Sequence, residues 1–327
     1  IIVKSRTLSG FDAPYVPGWD CHGLPIEQMV EKKLCKVDVK ADAHKFRDAC
    51  RAFAATQVAR QSTDFQRLGI VGDWENPYLT MDFRIEADIV RSLARIIANG
   101  YLHRGSKPVH WCIDCASALA EAEVEYRDRD SLAIDVRFPV ANLEALLARL
   151  HYVEDHTSQG SLAVVIWTTT PWTLPANQAV AVNPGLDYAV VQVDTDHGQE
   201  RLLVAKPLLK DSLVRWQIEC YRVIACGPGS ALEGLMLHHP FYDREVPVIL
   251  DDHVTTEAGT GAVHIAPAHG QEDYAVGSRY DLKVDNPVGP DGRFLPDTPL
   301  FASLHVFAAN GRVIDTLKAQ GMLLRIT

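Results

Sequence analysis

The chain has 327 residues, 47% of them hydrophobic, which suits two domains and excludes a disordered or low-complexity protein. Its net charge of −10 argues against a protein that coats nucleic acid non-specifically, yet is compatible with an enzyme that grips one RNA end in a local site. The seven scattered cysteines, an odd number, point to a reducing cytoplasm, and the longest apolar runs, 162–167 and 179–182, are too short to span a bilayer.

Taken in order, the chain opens on Ile1-Ile2-Val3-Lys4, which reads as the middle of an element and not as a signal peptide. Apolar residues at helical spacing predict helices over 41–68, ending at Gly69, and over 85–98, stopped by Asn99-Gly100. Such helices suit one half of a doubly wound parallel sheet, so 1–105 is expected to be part of a Rossmann-type α/β domain. A connector is expected over 106–150, with a helix over 141–150. From Leu162 onward short β-branched runs dominate, at 162–167, 188–193, 201–204, 246–250 and 262–265, punctuated by turns such as Asn183-Pro184-Gly185. That spacing predicts a β-barrel or sandwich over 151–327. A helix over 313–319 precedes a last segment that reads as the start of a strand, so both ends look cut and the chain is expected to be a piece of a longer protein.

Four segments carry residues with chemistry. Pro17-Gly18-Trp19-Asp20-Cys21-His22-Gly23-Leu24-Pro25-Ile26-Glu27 has two glycines and two prolines that restrict the backbone around Asp20. A buried Asp beside Trp19 is a receptor for a ligand ammonium; equally, the segment is a turn in which Asp20 caps and Trp19 packs. Cys112 and Cys115 form a CxxC, half of the four-ligand set of structural zinc, with His110 as a cramped third donor. Thr168, Thr169, Thr170 and Thr173 follow an apolar strand and precede Asn177; their hydroxyls can position a water, a ribose hydroxyl or an ester carbonyl, or simply pair across a sheet. Finally, residues 259–274 hold His264, His269, Glu272 and Asp273 among glycines, alanines and Pro267. The spacing matches no common metal motif and suggests a shaped pocket, although His264 as a core histidine and Asp273 as a helix N-cap are the plainer alternatives. No nucleophile elbow or Cys–His signature accompanies them, so a hydrolase here would use water.

These segments resemble, in the same order and over essentially the whole chain, the bacterial isoleucyl-tRNA synthetases of class I; the valyl and leucyl enzymes carry different residues at 19–26. The resemblance implies a Rossmann-type catalytic domain interrupted by a connective-peptide editing domain. It implies an ATP- and Mg-dependent isoleucine–tRNA ligase, acting on isoleucine and the tRNA(Ile) 3′ end as a cytoplasmic monomer without membrane contact. By the same resemblance, Pro17, Gly18, Trp19 and Asp20 form the isoleucine site, with Asp20 on the ammonium group. Thr168, Thr169, Thr170, Thr173 and Asn177 receive the terminal adenosine and the ester. His264 shapes the amino-acid pocket and Asp273 holds the ammonium of a misattached valine. Ala268 stands where many members have glycine. The HIGH and KMSKS signatures are expected before Ile1 and beyond Thr327, with the cysteines that complete a zinc site in some members also beyond Thr327. The fragment is thus expected to retain only the editing part, and residues 1–105 to expose apolar surface. The other readings are a free-standing trans-editing deacylase and a non-catalytic tRNA-binding module.

Overall fold

The computed structural model describes residues 1–33, 42–128, 130–152, 159–195 and 198–327, so Cys35 lies outside the described residues. The chain divides into two compact units, Ile1–Gly105 and Ser106–Thr327.

The first unit is mainly helical. Asp42 accepts from the His44 and Lys45 amides and starts the helix Ala43–Arg67. Asp82 caps the helix Phe83–Ala98 in the same way, through the Arg84 amide. Helices Ile2–Leu8 and Leu24–Glu31 are the others among the described residues. Two short strands, β1 (Gly18–Trp19) and β2 (Tyr78–Leu79), pair in parallel and are the unit's sheet among the described residues. Its buried hydrophobic residues there are Cys21, Val30 and Ala54, and the helix Phe83–Ala98 buries none of its side chains.

The second unit carries the core. Its strands are β3 (Trp111–Cys112), β4 (Ser117–Ala118), β5 (Ile134–Pro139), β6 (His151–Tyr152), β7 (Leu162–Thr168), β8 (Ala179–Val182), β9 (Asp187–Thr195), β10 (Gly198–Ala205), β11 (Tyr221–Pro228), β12 (Met236–His238), β13 (Glu245–Leu250), β14 (Ala262–Ile265) and β15 (Leu323–Ile326). One sheet runs β15-β5-β7-β10-β9-β11-β6 and a second runs β12-β13-β8-β14; among the described residues neither closes on itself. The stretch expected as a connector therefore supplies β5, a strand of the larger sheet, and its expected helix shrinks to Leu143–Leu147.

The apolar runs are continuous because β7 is buried on both faces. Val164 and Ile166 join Phe138, Leu203, Val180 and Val248 in the core shared by the two sheets, closed by Val313 and Leu317 of the helix Val306–Ala319. Val165 points the other way, against Leu209, Leu213 and Trp216 of the helix Leu209–Trp216. Two ion pairs reinforce the larger sheet: Arg137 makes a bidentate pair with Glu200 at 2.7 and 2.8 Å, and Arg215 does the same with Asp135 at 2.8 and 3.0 Å.

Candidate functional site

Strand order brings the two polar segments of the second unit together. β7 delivers Thr168 to its end, a 3-10 turn Pro171–Ala176 follows, and β8 begins at Ala179. β14 lies antiparallel beside β8 and sets His264 opposite Val180. Gly261, at φ +76°, makes the approach to β14 feasible: a Cβ there would lie 2.2 Å from the Ala205 Cβ.

The Thr173 hydroxyl donates to the Thr170 carbonyl at 2.8 Å, so at 3.0 Å it can only accept from His264 Nε2–H. That fixes the tautomer of His264 and leaves Nδ1 as a bare, buried acceptor with no protein partner. Burial, aided by the nearby His269, pushes the His264 pKa down to about 4, so the ring is neutral at pH 7. Thr168 is buried, contacts the Thr170 hydroxyl at 3.3 Å and accepts from the Thr170 amide at 3.1 Å; Thr169 and Thr170 are exposed beside it. Asn177 is fully buried, donates to the Ala179 carbonyl at 2.8 Å and keeps Oδ1 without a partner.

Asp273 lies in the first turn of the helix Gln271–Arg279, whose N-cap is Gly270. The N-cap alternative for Asp273 is therefore replaced by another role: its Oδ2 accepts from the Ala266 amide at 2.7 Å and ties the helix to the end of β14. Burial raises its pKa, and the Ala266 amide opposes that rise. His269 stands edge-on to Trp172, with ring centres 5.1 Å apart.

Two residues outside the expected set brace the 3-10 turn. His239 accepts from the Phe241 and Tyr242 amides through Nδ1, so its Nε2–H donates to the Leu174 carbonyl at 3.1 Å. Burial and the neighbouring Arg244 drive its pKa down to about 3. Arg244 donates to the Asn177 carbonyl at 2.6 Å. Neither announces itself in Leu237-His238-His239-Pro240, where the exposed His238 and the buried His239 look alike.

Pro17, Gly18, Trp19 and Asp20 lie in the first unit. Pro17 is buried and Gly18–Trp19 is the β1 strand, but Asp20 is exposed, accepting from the His22 amide at 3.2 Å and Thr80 Oγ1 at 3.3 Å. The buried carboxylate expected beside Trp19 is thus, within this unit, an exposed turn residue. Cys112 and Cys115 sit on the β3–β4 hairpin, where the Cys115 amide donates to Cys112 Sγ at 3.4 Å and lowers its pKa. Among the described residues no third His, Cys, Asp or Glu gathers with them, so His110 does not extend the pair and these residues do not fit a four-ligand zinc site.

The model of the tRNA synthetases class I (I, L, M and V) matches residues 1–302. The chain belongs to that family. It is 67% identical over 323 residues to the isoleucine–tRNA ligase of Methylococcus capsulatus, covering 99% of this chain and 34% of that protein. It is 59% identical over 325 residues to that of Nitrosococcus oceani, with the same coverage. The chain thus spans about a third of the length of these curated relatives. Among solved structures, the editing domain of the P. falciparum cytosolic leucyl-tRNA synthetase overlaps 60% of this chain and 99% of its own, at 9% identity and a TM-score of 0.46. No described helix is long and apolar enough to cross a membrane.

Proposed function

We propose that the second unit of this synthetase-family chain is a hydrolytic editing domain that removes valine from tRNA(Ile), within a protein whose whole activity is ATP- and Mg-dependent isoleucine–tRNA ligation. The observation that carries the reading is the convergence, across 91 residues of sequence, of the threonine turn on His264, beside a carboxylate tied to the same strand end. An editing site is needed because a pocket built for isoleucine cannot strongly exclude valine: one methylene is worth only about 1–3 kcal/mol, for which the isoleucine–valine pair is itself the standard example.

In this reading Asp273 takes the α-ammonium of the misattached residue, with one oxygen held by the Ala266 amide and the other turned to the ligand. Neutral His264 walls the side-chain pocket and offers Nδ1 as an acceptor. Thr168, Thr169 and Thr170 orient the ester and a water, and Thr173 and Asn177 hold the turn and the terminal ribose. Water adds to the ester carbonyl, the tetrahedral intermediate expels the ribose oxygen, and valine leaves with the added oxygen. The isoleucine site is assigned to Pro17, Gly18, Trp19 and Asp20 of the first unit.

The test is deacylation of Val-tRNA(Ile) by this chain and by Asp273→Ala. Loss of the ammonium anchor should lower kcat/KM by roughly a hundredfold, on the scale of a removed charge-assisted contact. Equal rates for the two proteins would overturn the assignment.

A further inference from the structure

A second concavity, of about 650 Å3, adjoins this site and is not used by the chemistry above. It shares Trp172, Ala268 and His269 with the two segments that carry Thr173 and His264, and it is walled on the far side by the β3–β4 hairpin and the turn at 286–292. Its lining is aromatic: Trp111, Trp172, His269 and, on the first turn of the helix Val306–Ala319, Phe307. Trp111 is 44% exposed and Phe307 54% exposed, so both present ring surface to the opening. Trp111 cannot swing freely, because its Nε1–H donates to the Pro290 carbonyl at 2.8 Å. Gly292, at φ +71°, lets the turn lie against the hairpin: a Cβ there would meet Ile113 Cγ2 at 2.9 Å. The platform is therefore built in place.

Charge narrows the occupant. In a chain of net charge −10, no carboxylate among the described residues lines this cavity, and the one formal charge among them there is Lys107. A ligand cation finds no counter-ion here, whereas a flat aromatic group on an anionic backbone finds stacking faces and a cation, the combination that binds single-stranded nucleic acid. In the editing reading the misattached amino acid already has its places, its ammonium at Asp273 and its side chain against His264, and needs nothing of this size.

We propose that this cavity holds the base of the nucleotide immediately preceding the esterified adenosine, stacked on Trp111 and Phe307 with Lys107 near its phosphate. The proposal rests on the editing reading for the substrate's identity. It makes Trp111, Phe307 and Lys107 binding determinants for the tRNA end and not for the ester.

The experiment compares two substrates, Val-tRNA(Ile) and 3′-valyl-adenosine, on this chain and on its Trp111→Ala, Phe307→Ala and Trp111→Phe variants. Stacking of one base predicts a rise in KM for Val-tRNA(Ile) of roughly tenfold in each alanine variant with kcat retained, and substantial recovery in Trp111→Phe. Hydrolysis of valyl-adenosine should change far less. A Val-tRNA(Ile) lacking the penultimate base should show the same KM rise on the unaltered chain and no further rise on Trp111→Ala. Unchanged KM for the tRNA, or equal losses on both substrates, overturns the proposal. Binding is also read directly, from the tryptophan fluorescence of the Asp273→Ala chain titrated with a short RNA ending in CCA. Quenching that is lost when Trp111 is replaced supports the cavity even if the unaltered chain hydrolyses neither ester, an outcome that would sink the editing reading alone. No RNA-dependent quenching overturns the cavity assignment.

Discussion

The helix Phe83–Ala98 and the strand β7 are both strongly apolar, but their fates differ. Ile89, Val90, Leu93, Ile96 and Ile97 are all exposed, while Val164, Val165 and Ile166 are at most 1% exposed. A helical stripe declares which face can be buried, yet burial requires a partner, and the first unit gathers little core of its own among the described residues. A strand inside a sheet with a second sheet on one face and a helix on the other meets partners on both sides whatever its periodicity. Apolar patterning is thus a statement of capacity; the layer that covers it decides its energy.

The contrast is sharpest for truncation of single side chains. Phe138→Ala, in the shared core, should cost about 3–5 kcal/mol in denaturant unfolding. Ile97→Ala, at 49% exposure, should stay within about 0.5 kcal/mol. Similar costs at the two positions would break the distinction between the units.

Ion pairs should divide the same way. Glu200→Ala strands the buried Arg137 guanidinium and should cost about 3–5 kcal/mol, much of it regained by Arg137→Met in the same chain. The exposed Arg91–Asp88 pair of the first unit should contribute under about 1 kcal/mol and fade with salt. A Glu200→Ala chain as stable as its parent would show that the pair is not buried in solution.

The brace beneath the threonine turn gives a smaller effect. Arg244→Met removes the donor to the Asn177 carbonyl and should cost about 1–3 kcal/mol, with a loss in kcat for deacylation exceeding any rise in KM. Loss of stability with catalysis intact would make Arg244 a purely structural residue.

Protonation should distinguish the units most gently. His239, His264 and His269 have pKa values pushed down to about 3, 4 and 4 by burial, whereas the unfolded chain titrates near the ordinary value of about 6.5. As pH falls below 6.5 the unfolded state takes up protons first, so the stabilisation is fully present above 6.5 and is lost progressively towards pH 4. Between pH 7 and pH 5 the Tm of the second unit should fall by several degrees, and His239→Gln should flatten part of that slope. A Tm that rises on acidification would reverse the sign and refute the neutral, buried histidines.

What the sequence determined by itself was local or ordered along the chain. Helical spacing located Ala43–Arg67 and Phe83–Ala98 within two residues of 41–68 and 85–98, with residue 41 outside the described residues, and β-branched runs located β7, β9, β10, β13 and β14. Residue order in the motifs led to the synthetase family. The helix Leu209–Trp216 and the strands β5 and β11 were not picked out, although Ile134, Val136 and Phe138 alternate and Leu209, Leu213 and Trp216 keep helical spacing; each pattern covers too few residues to stand out beside the longer β-branched runs. The tertiary structure alone decided that β8 lies between β13 and β14, and hence that Thr173 meets His264. It also decided that Asp273 ties down Ala266 instead of capping its helix, that Asp20 is exposed, and that His239 and Arg244 support the turn. The reason is physical: periodicity is imposed by the backbone within a few residues, whereas a hydrogen bond spanning 91 residues exists only once strand register has placed both of its ends.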